Sequence, residues 1–338
     1  MSSLRQLIKN TIYSIGSLPI IKYITLPLQG RAAILCYHRI VKDEIFFGEK
    51  SPQKNLLVTI DNFDNHMNYL SKNHQVVLLD ELIDHLNSES DEFKVAITFD
   101  DGYKDNLDNA LPILKKYEIP ATIYITTRFP EGDCKMWWYE LWELIDNENE
   151  INIQWGKTNI KLETNNFSKK TRAYKYLSNL FGFENTPVQE NFLNKLRKKN
   201  QPIDYKSICL SWGNIIELSQ NPLITIGSHC HTHSSLKYLE DKDIYFELEY
   251  SKKLIEKKIN QQIDHLAYPF GTENDVSTRE HELAKKCGYK TAVQTTVNVL
   301  NNAEKLYSLP RLSVRNDNSA VIDAKLNGLD NFIYSFIK

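Results

Sequence analysis

The chain has 338 residues, with 41 Lys and Arg against 43 Asp and Glu, a net charge of −2 and 11% aromatic residues. A chain of this size buries one barrel-sized domain or two smaller ones, and its balanced charge excludes the basic field that recruits nucleic acid. Cys36, Cys134, Cys209, Cys230 and Cys287 are scattered, with no Cys-x-x-Cys pair, which argues against a disulfide framework or a structural zinc knuckle and points to a reducing, cytoplasmic compartment.

At the N-terminus, Leu4, Leu7, Ile8, Ile12 and Ile15 recur at helical spacing with Arg5 and Lys9 between them, before Gly16 and Pro19 interrupt. The apolar stretch is too short and broken to span a bilayer, and no small-residue cleavage site follows it. Residues 1–30 are expected to form an amphipathic arm. It either packs on its own domain or makes peripheral contact with the inner membrane face through residues 1–28.

Residues 32–38 read as a buried parallel strand that delivers His38 at its C-terminal end. A loop over 41–57 is followed by helical spacing over 61–73, a short strand at 76–79 and a helix over 81–88 capped by Asp80. The strand 95–97 runs into Asp100-Asp101; a helix over 105–117 and a strand over 120–125 follow. This alternation is the signature of a parallel α/β fold, whose sites gather at the C-terminal ends of the strands. Over about 130–204 the rhythm stops. Trp137, Trp138, Tyr139 and Trp142 open an aromatic helix, Asn- and Lys-rich segments follow, and helical stretches recur near 170–181 and 188–199. We read this as a helical insertion whose aromatics pack the helix or line a sugar subsite.

The rhythm resumes with Ser211 capping a helix over 212–219, a strand at 223–227 and a long charged helix over 240–260. A strand at 266–271, a helix over 278–287 closed by Gly288, a strand at 291–294 and a last core segment at 309–314 complete it. Residues 316–338 read as a terminal helix and tail, so the barrel domain runs from 31 to 315.

Two clusters carry the chemistry. Thr98-Phe99-Asp100-Asp101-Gly102-Tyr103 sets adjacent carboxylates at a strand end, where alternation sends them to opposite sides, so one could hold a metal while the other handles protons. Gly102 supplies the freedom for a tight turn. Gly227-Ser228-His229-Cys230-His231-Thr232-His233 sets His229 and His233 four apart, on one side of a helical turn, with His231 pointing elsewhere. Two imidazoles and a carboxylate make a three-ligand site with an open position for water, as in catalytic zinc sites.

Asp100-Asp101 in a T-F-D-D-G-Y setting, followed by G-S-H-x-x-x-H, resembles the polysaccharide deacetylases, carbohydrate esterase family 4 with its NodB-homology domain. Residues 35–40, Ser211-Trp212, residues 267–271 and Leu309-Pro310-Arg311 support the resemblance, which spans about 32–315 less the insertion. It implies a distorted (β/α) barrel of seven strands and metal-dependent removal of N- or O-acetyl groups from sugars. Carried over by motif, Asp101, His229 and His233 hold the metal, Zn2+ first, with Co2+, Ni2+ or Mn2+ as alternatives. The metal activates water and polarises the acetyl carbonyl, and Asp100 is the general base. The Phe270 N–H helps to stabilise the oxyanion, Tyr268 beside it contacts substrate, and Arg311 holds Asp100 ionised and oriented.

Two departures stand out. Ala267-Tyr268-Pro269-Phe270 occupies the place of the Arg-x-Pro-Tyr of many members, and no histidine follows His281 to supply the usual Leu-x-His acid. His38 is the expected acid instead, with His231 or a metal-bound water as alternatives. The expected substrate is an N-acetylated saccharide, as a lipid-linked or nucleotide-linked glycan precursor, because the absence of an export signal argues against mature wall polymer. The competing readings are a deformylase or amidohydrolase acting on another amide, and a sugar-binding barrel without turnover. Acetylated against formylated sugars separate the first; metal-dependent acetate release excludes the second.

Overall fold

Seven short parallel strands carry the architecture: β1 (Ala32–Tyr37), β2 (Lys94–Phe99), β3 (Ala121–Ile125), β4 (Ile224–Ser228), β5 (His265–Ala267), β6 (Thr291–Val293) and β7 (Leu312–Ser313). The computed structural model describes residues 30–182, 184, 186–197, 202–302 and 305–329. The expected N-terminal arm, Gly30 aside, and residues 330–338 of the expected tail lie outside them. The spatial order is β6-β5-β4-β3-β2-β1-β7, with Gln75–Val76 paired onto β2. Curling brings β6 alongside the segment that leads into β7. There the Leu309 N–H donates to the Ala292 carbonyl at 3.0 Å and the Gln294 N–H to the Leu309 carbonyl at 2.8 Å. The result is the expected distorted seven-stranded (β/α) barrel, closed at one seam by irregular pairing instead of a full ladder. Among the described residues no helix is long and apolar enough to cross a membrane.

Strand alternation sorts the side chains into two cores. On β1, Ala33, Leu35 and Tyr37 pack outward under the helices, as do Val95, Ile97 and Phe99 on β2. Ala32, Ile34 and Ala96 turn into the barrel with Tyr124 and Val293. Toward the C-terminal ends the inward rows change from hydrocarbon to polar: Ala32, Ile34 and Cys36 on one strand, Ala96, Thr98 and Asp100 on the next. Gly227 on β4 is required by close approach, since a Cβ there would lie 2.5 Å from the Tyr124 ring.

Several local elements differ from expectation for identifiable reasons. The strand at 76–79 shrinks to Gln75–Val76. The following helix, Leu79–Leu86, begins two residues earlier than a cap at Asp80 would allow, because the Leu78 N–H donates to the Glu81 carboxylate at 2.9 Å. The helix over 105–117 opens as a wide π turn, Asn106–Ala110, before Leu111–Lys116; Pro112 there has no N–H to give to the regular ladder. Ser211 caps Trp212–Ser219 as expected, accepting from the Asn214 N–H at 3.2 Å.

The insertion is not wholly helical. Helices Trp137–Asp146, Phe167–Phe181 and Thr186–Arg197 accompany an antiparallel hairpin, Glu150–Trp155 with Thr158–Glu163. Ile151, Ile153 and Ile160 are buried while Glu150, Asn152 and Gln154 are exposed, and Gly156 makes the turn at φ 58°. Trp137, Trp138, Tyr139 and Trp142 pack with Phe181 and Phe192 into a core of their own, with Phe181 and Phe192 stacked at 4.2 Å. Helix packing, the first of the two roles expected for these aromatics, is the one the structure shows. Arg197 and Glu140 form a buried two-point ion pair within this layer.

Candidate active site

Asp101 lies just beyond β2 with φ 74°, followed by Gly102 at 78°. This pair of left-handed residues separates the two carboxylates: Asp100 completes the inward row, and Asp101 turns away in the loop. Simple strand alternation, the basis of the expectation, does not reach that far. The histidine cluster is likewise a loop and not a helical turn, with Cys230 at φ 61° and His233 at 60°. Its carbonyls are claimed from outside, Cys230 O by the Thr127 N–H at 3.2 Å and His231 O by the Arg128 N–H at 3.0 Å. The His231 and Thr232 N–H groups donate to the Glu247 carboxylate, so they are not free to start a helix.

These loops converge. His229 Nε2 and His233 Nε2 stand 3.3 and 3.2 Å from Asp101 Oδ1, and the ligand atoms of the three side chains lie within 4.8 Å of one another. His229 Nδ1 is 2.7 Å from the Ala267 carbonyl. A carbonyl only accepts, so the proton sits on Nδ1 and Nε2 presents its lone pair to the site. Asp101 Oδ1 is buried with no hydrogen-bond partner among the described residues. A buried carboxylate oxygen facing two imidazole nitrogens without hydrogen bonds is a place for a cation. The carboxylates draw positive charge to this place. Burial lowers the His229 pKa, but Asp101 and Asp100 outweigh it and raise the group above its ordinary value. Burial raises that of Asp101, but the two imidazoles hold it well below the carboxylate range. Trp138 and Phe270 flank His233, with ring centroids at 4.7 and 5.1 Å.

Asp100 is gripped at two points, Oδ1 by Arg311 Nη1 and Oδ2 by Nη2, both at 2.7 Å. Arg311 is itself fully buried and anchored through Nε to the Gln294 carbonyl at 3.2 Å. Burial pushes the Asp100 pKa up, but the guanidinium overrides it and brings it to about 2. Cys36, His38 and Asp100 bring their polar atoms within 4.8 Å of one another. His38 is half-buried, and desolvation lowers its pKa despite the two aspartates.

Asp100, Asp101, His229, His233, His38 and Arg311 are thus brought together, and Phe270 borders them through its ring contact with His233. Tyr268 does not join them. Its side chain is fully buried in the main core and its hydroxyl donates to the Tyr307 carbonyl at 3.2 Å, so it has no surface for substrate. His231 turns to Thr127 Oγ1 at 2.9 Å and to the rings of Tyr250 and Phe246 at 4.7 and 5.9 Å, as its place between the ligands suggested.

The sequence profile of the polysaccharide deacetylase family matches residues 87–154 and 181–292, more than half of the chain. The chain belongs to the polysaccharide deacetylase family. It is similar to a poly-beta-1,6-N-acetyl-D-glucosamine N-deacetylase of Staphylococcus aureus, 24% identical over 298 residues that cover 86% of this chain and 80% of that one. Among solved structures, the Streptococcus pyogenes deacetylase PplD in complex with acetate aligns with TM-score 0.59 and 19% identity, over 87% of this chain and 97% of that one. IcaB from Ammonifex degensii aligns at 0.54 and 16%, over 88% and 97%. Both likenesses establish the barrel fold.

In this polysaccharide deacetylase family member the third-motif arginine is absent, and the guanidinium at Asp100 comes from elsewhere in the chain. Ala267 contributes only its carbonyl, to His229, while a guanidinium reaches Asp100 from Arg311 at the start of β7. Two residues lie beside the metal loop without having been placed there from sequence. Trp138 was signalled by its aromatic run but not by its contact with His233. Glu247 carried no local signal, being one of many charged residues on the helix Asp241–Ile259.

Proposed function

We propose that the chain removes N-acetyl groups from an amino-sugar saccharide, with a divalent cation, zinc first, held by Asp101, His229 and His233. The observation that carries this is Asp101 Oδ1, buried without a hydrogen bond among the described residues and facing two imidazole nitrogens at 3.2 and 3.3 Å. The donor set, two imidazoles and a carboxylate, suits zinc with a position left open. A cation there supplies a water of lowered pKa and polarisation of the acetyl carbonyl.

Asp100 accepts the proton of the attacking water on a carboxylate oxygen, and Arg311 keeps that carboxylate ionised and aligned. The Phe270 N–H donates to the developing oxyanion. His38, whose ring nitrogen lies within 4.8 Å of the Asp100 carboxylate, takes from Asp100 the proton that came from water and passes it to the leaving nitrogen. A His38→Gln variant is expected to lose about 10²-fold in kcat, and unaltered turnover would remove His38 from this role.

The relative named as a poly-N-acetylglucosamine deacetylase supports an N-acetylated sugar. We take the saccharide as a precursor carried on lipid or nucleotide and met in the cytoplasm or at the inner membrane face, a placement in keeping with five buried free thiols. The test is acetate release by chelator-treated protein with zinc added back, on N-acetylated and N-formylated oligosaccharides and on lipid-linked or nucleotide-linked sugars. Zinc-restored acetate release is expected. Formate release alone would favour the deformylase reading, and zinc binding without turnover of any of these would leave a sugar-binding barrel.

A further inference from the structure

We infer that Glu247 is the positioning residue of the metal loop, setting the angle at which His229 and His233 meet the cation; this rests on the metal site proposed above. The loop needs an outside hold. Cys230 and His233 both adopt left-handed φ, 61° and 60°, which non-glycine residues keep only where their surroundings dictate it. Between them lie the N–H groups of His231 and Thr232, and both donate to one Glu247 oxygen, Oε2, at 2.8 Å each. Successive amides in such a turn form a concave nest for an anion, and Glu247 fills it. Its other oxygen, Oε1, accepts from the Thr232 hydroxyl at 2.6 Å. Thr232 Oγ1 stands 2.8 Å from Ser234 Oγ, which lies 3.3 Å from Thr186 Oγ1 at the start of an insertion helix.

The carboxylate is fixed in turn. Glu247 is buried on the helix Asp241–Ile259, and its own carbonyl accepts from the Ser251 hydroxyl at 2.7 Å. Ser251 Oγ lies 2.8 Å from the hydroxyl of Ser228, the last residue of β4 and the one before His229. The helix is therefore fastened to the loop at its entry by Ser251 and at its middle by Glu247. His229 and His233 sit on either side of the clamped amides. The hydrogen bonds of the Glu247 carboxylate go to His231 and Thr232 and not to the ligand side chains. Its effect on the cation passes through the backbone, as with the outer partners that orient metal ligands.

The test is the zinc dissociation constant, read by competition with a chromogenic chelator, together with the Tm of the metal-free protein. Glu247→Ala is expected to weaken zinc binding about 10- to 100-fold. Glu247→Gln, which keeps one acceptor oxygen but turns an N–H2 toward Thr232, is expected to fall between. Glu247→Asp keeps the charge and withdraws it by one methylene, so it separates placement from electrostatic attraction and is expected to be weakened too. Wild-type zinc affinity in Glu247→Asp or in a folded Glu247→Ala would overturn the assignment. Should Glu247→Ala fail to fold, Glu247→Gln decides: weaker zinc binding at an unchanged metal-free Tm supports it, and unchanged affinity sinks it. If the wild type itself binds no zinc, the metal site fails, a result distinct from equal binding by all variants.

Discussion

Asp100→Asn is expected to keep its zinc and lose about 10²- to 10⁴-fold in kcat, the span that a positioned general base supplies. The amide is nearly isosteric, and none of the three ligand side chains is altered. Metal analysis and acetate release on the same preparation test both halves, and near-normal turnover would remove Asp100 as the base. The substitution also leaves the buried Arg311 guanidinium without its counter-charge, and breaking a buried pair from one side costs about 3–5 kcal/mol. Rates must therefore be compared well below the lowered Tm. The same pair governs acid stability. With a folded pKa of about 2 against an unfolded value of about 3.9, ionised Asp100 contributes about 2–3 kcal/mol. That contribution is present in full above about pH 4 and is withdrawn as pH falls toward 2. Tm measured against pH should fall more steeply over that window in the wild type than in the Asn variant.

His233→Ala is expected to lose its zinc on dialysis and to fall to the activity of chelator-treated protein, whereas His231→Ala keeps both. The two histidines are two residues apart, yet only His233 faces Asp101; His231 is engaged with Thr127, Tyr250 and Phe246. Metal content by elemental analysis decides. A His231→Ala protein that empties while His233→Ala stays loaded would show the ligand set to be wrong.

Residue type announced the site better than residue spacing described its shape. The apolar run into Thr98-Phe99-Asp100-Asp101-Gly102 marks a strand and a turn on sight, because a buried strand must be apolar and a left-handed turn favours glycine. That Asp101 shares the left-handed conformation is not visible, since aspartate gives no such warning. His229 and His233 at four-residue spacing suggested a helix, but the loop's amides and carbonyls are bound by Glu247, Thr127 and Arg128. Thr127 and Arg128 each lie 103 residues from the carbonyl they bind, and no local pattern encodes them. The hairpin Glu150–Trp155 with Thr158–Glu163 is a different case. Its alternation, Ile151, Ile153, Trp155 and then Ile160, Leu162 about Gly156, was there to be read, and the surrounding Asn and Lys obscured it. Arg311 was expected as the partner of Asp100 from its motif; its path into the barrel depends on the curl of the whole sheet.

The seam between β6 and β7 has a consequence for biosynthesis. Asp100 leaves the ribosome 211 residues before Arg311, and β7, into which Arg311 leads, is the last of the seven barrel strands to emerge. Until it docks beside β1, Asp100 lacks the guanidinium that does most to outweigh its burial and keep it ionised. Hydrolytic competence thus arrives late in synthesis, with the docking of the final strand.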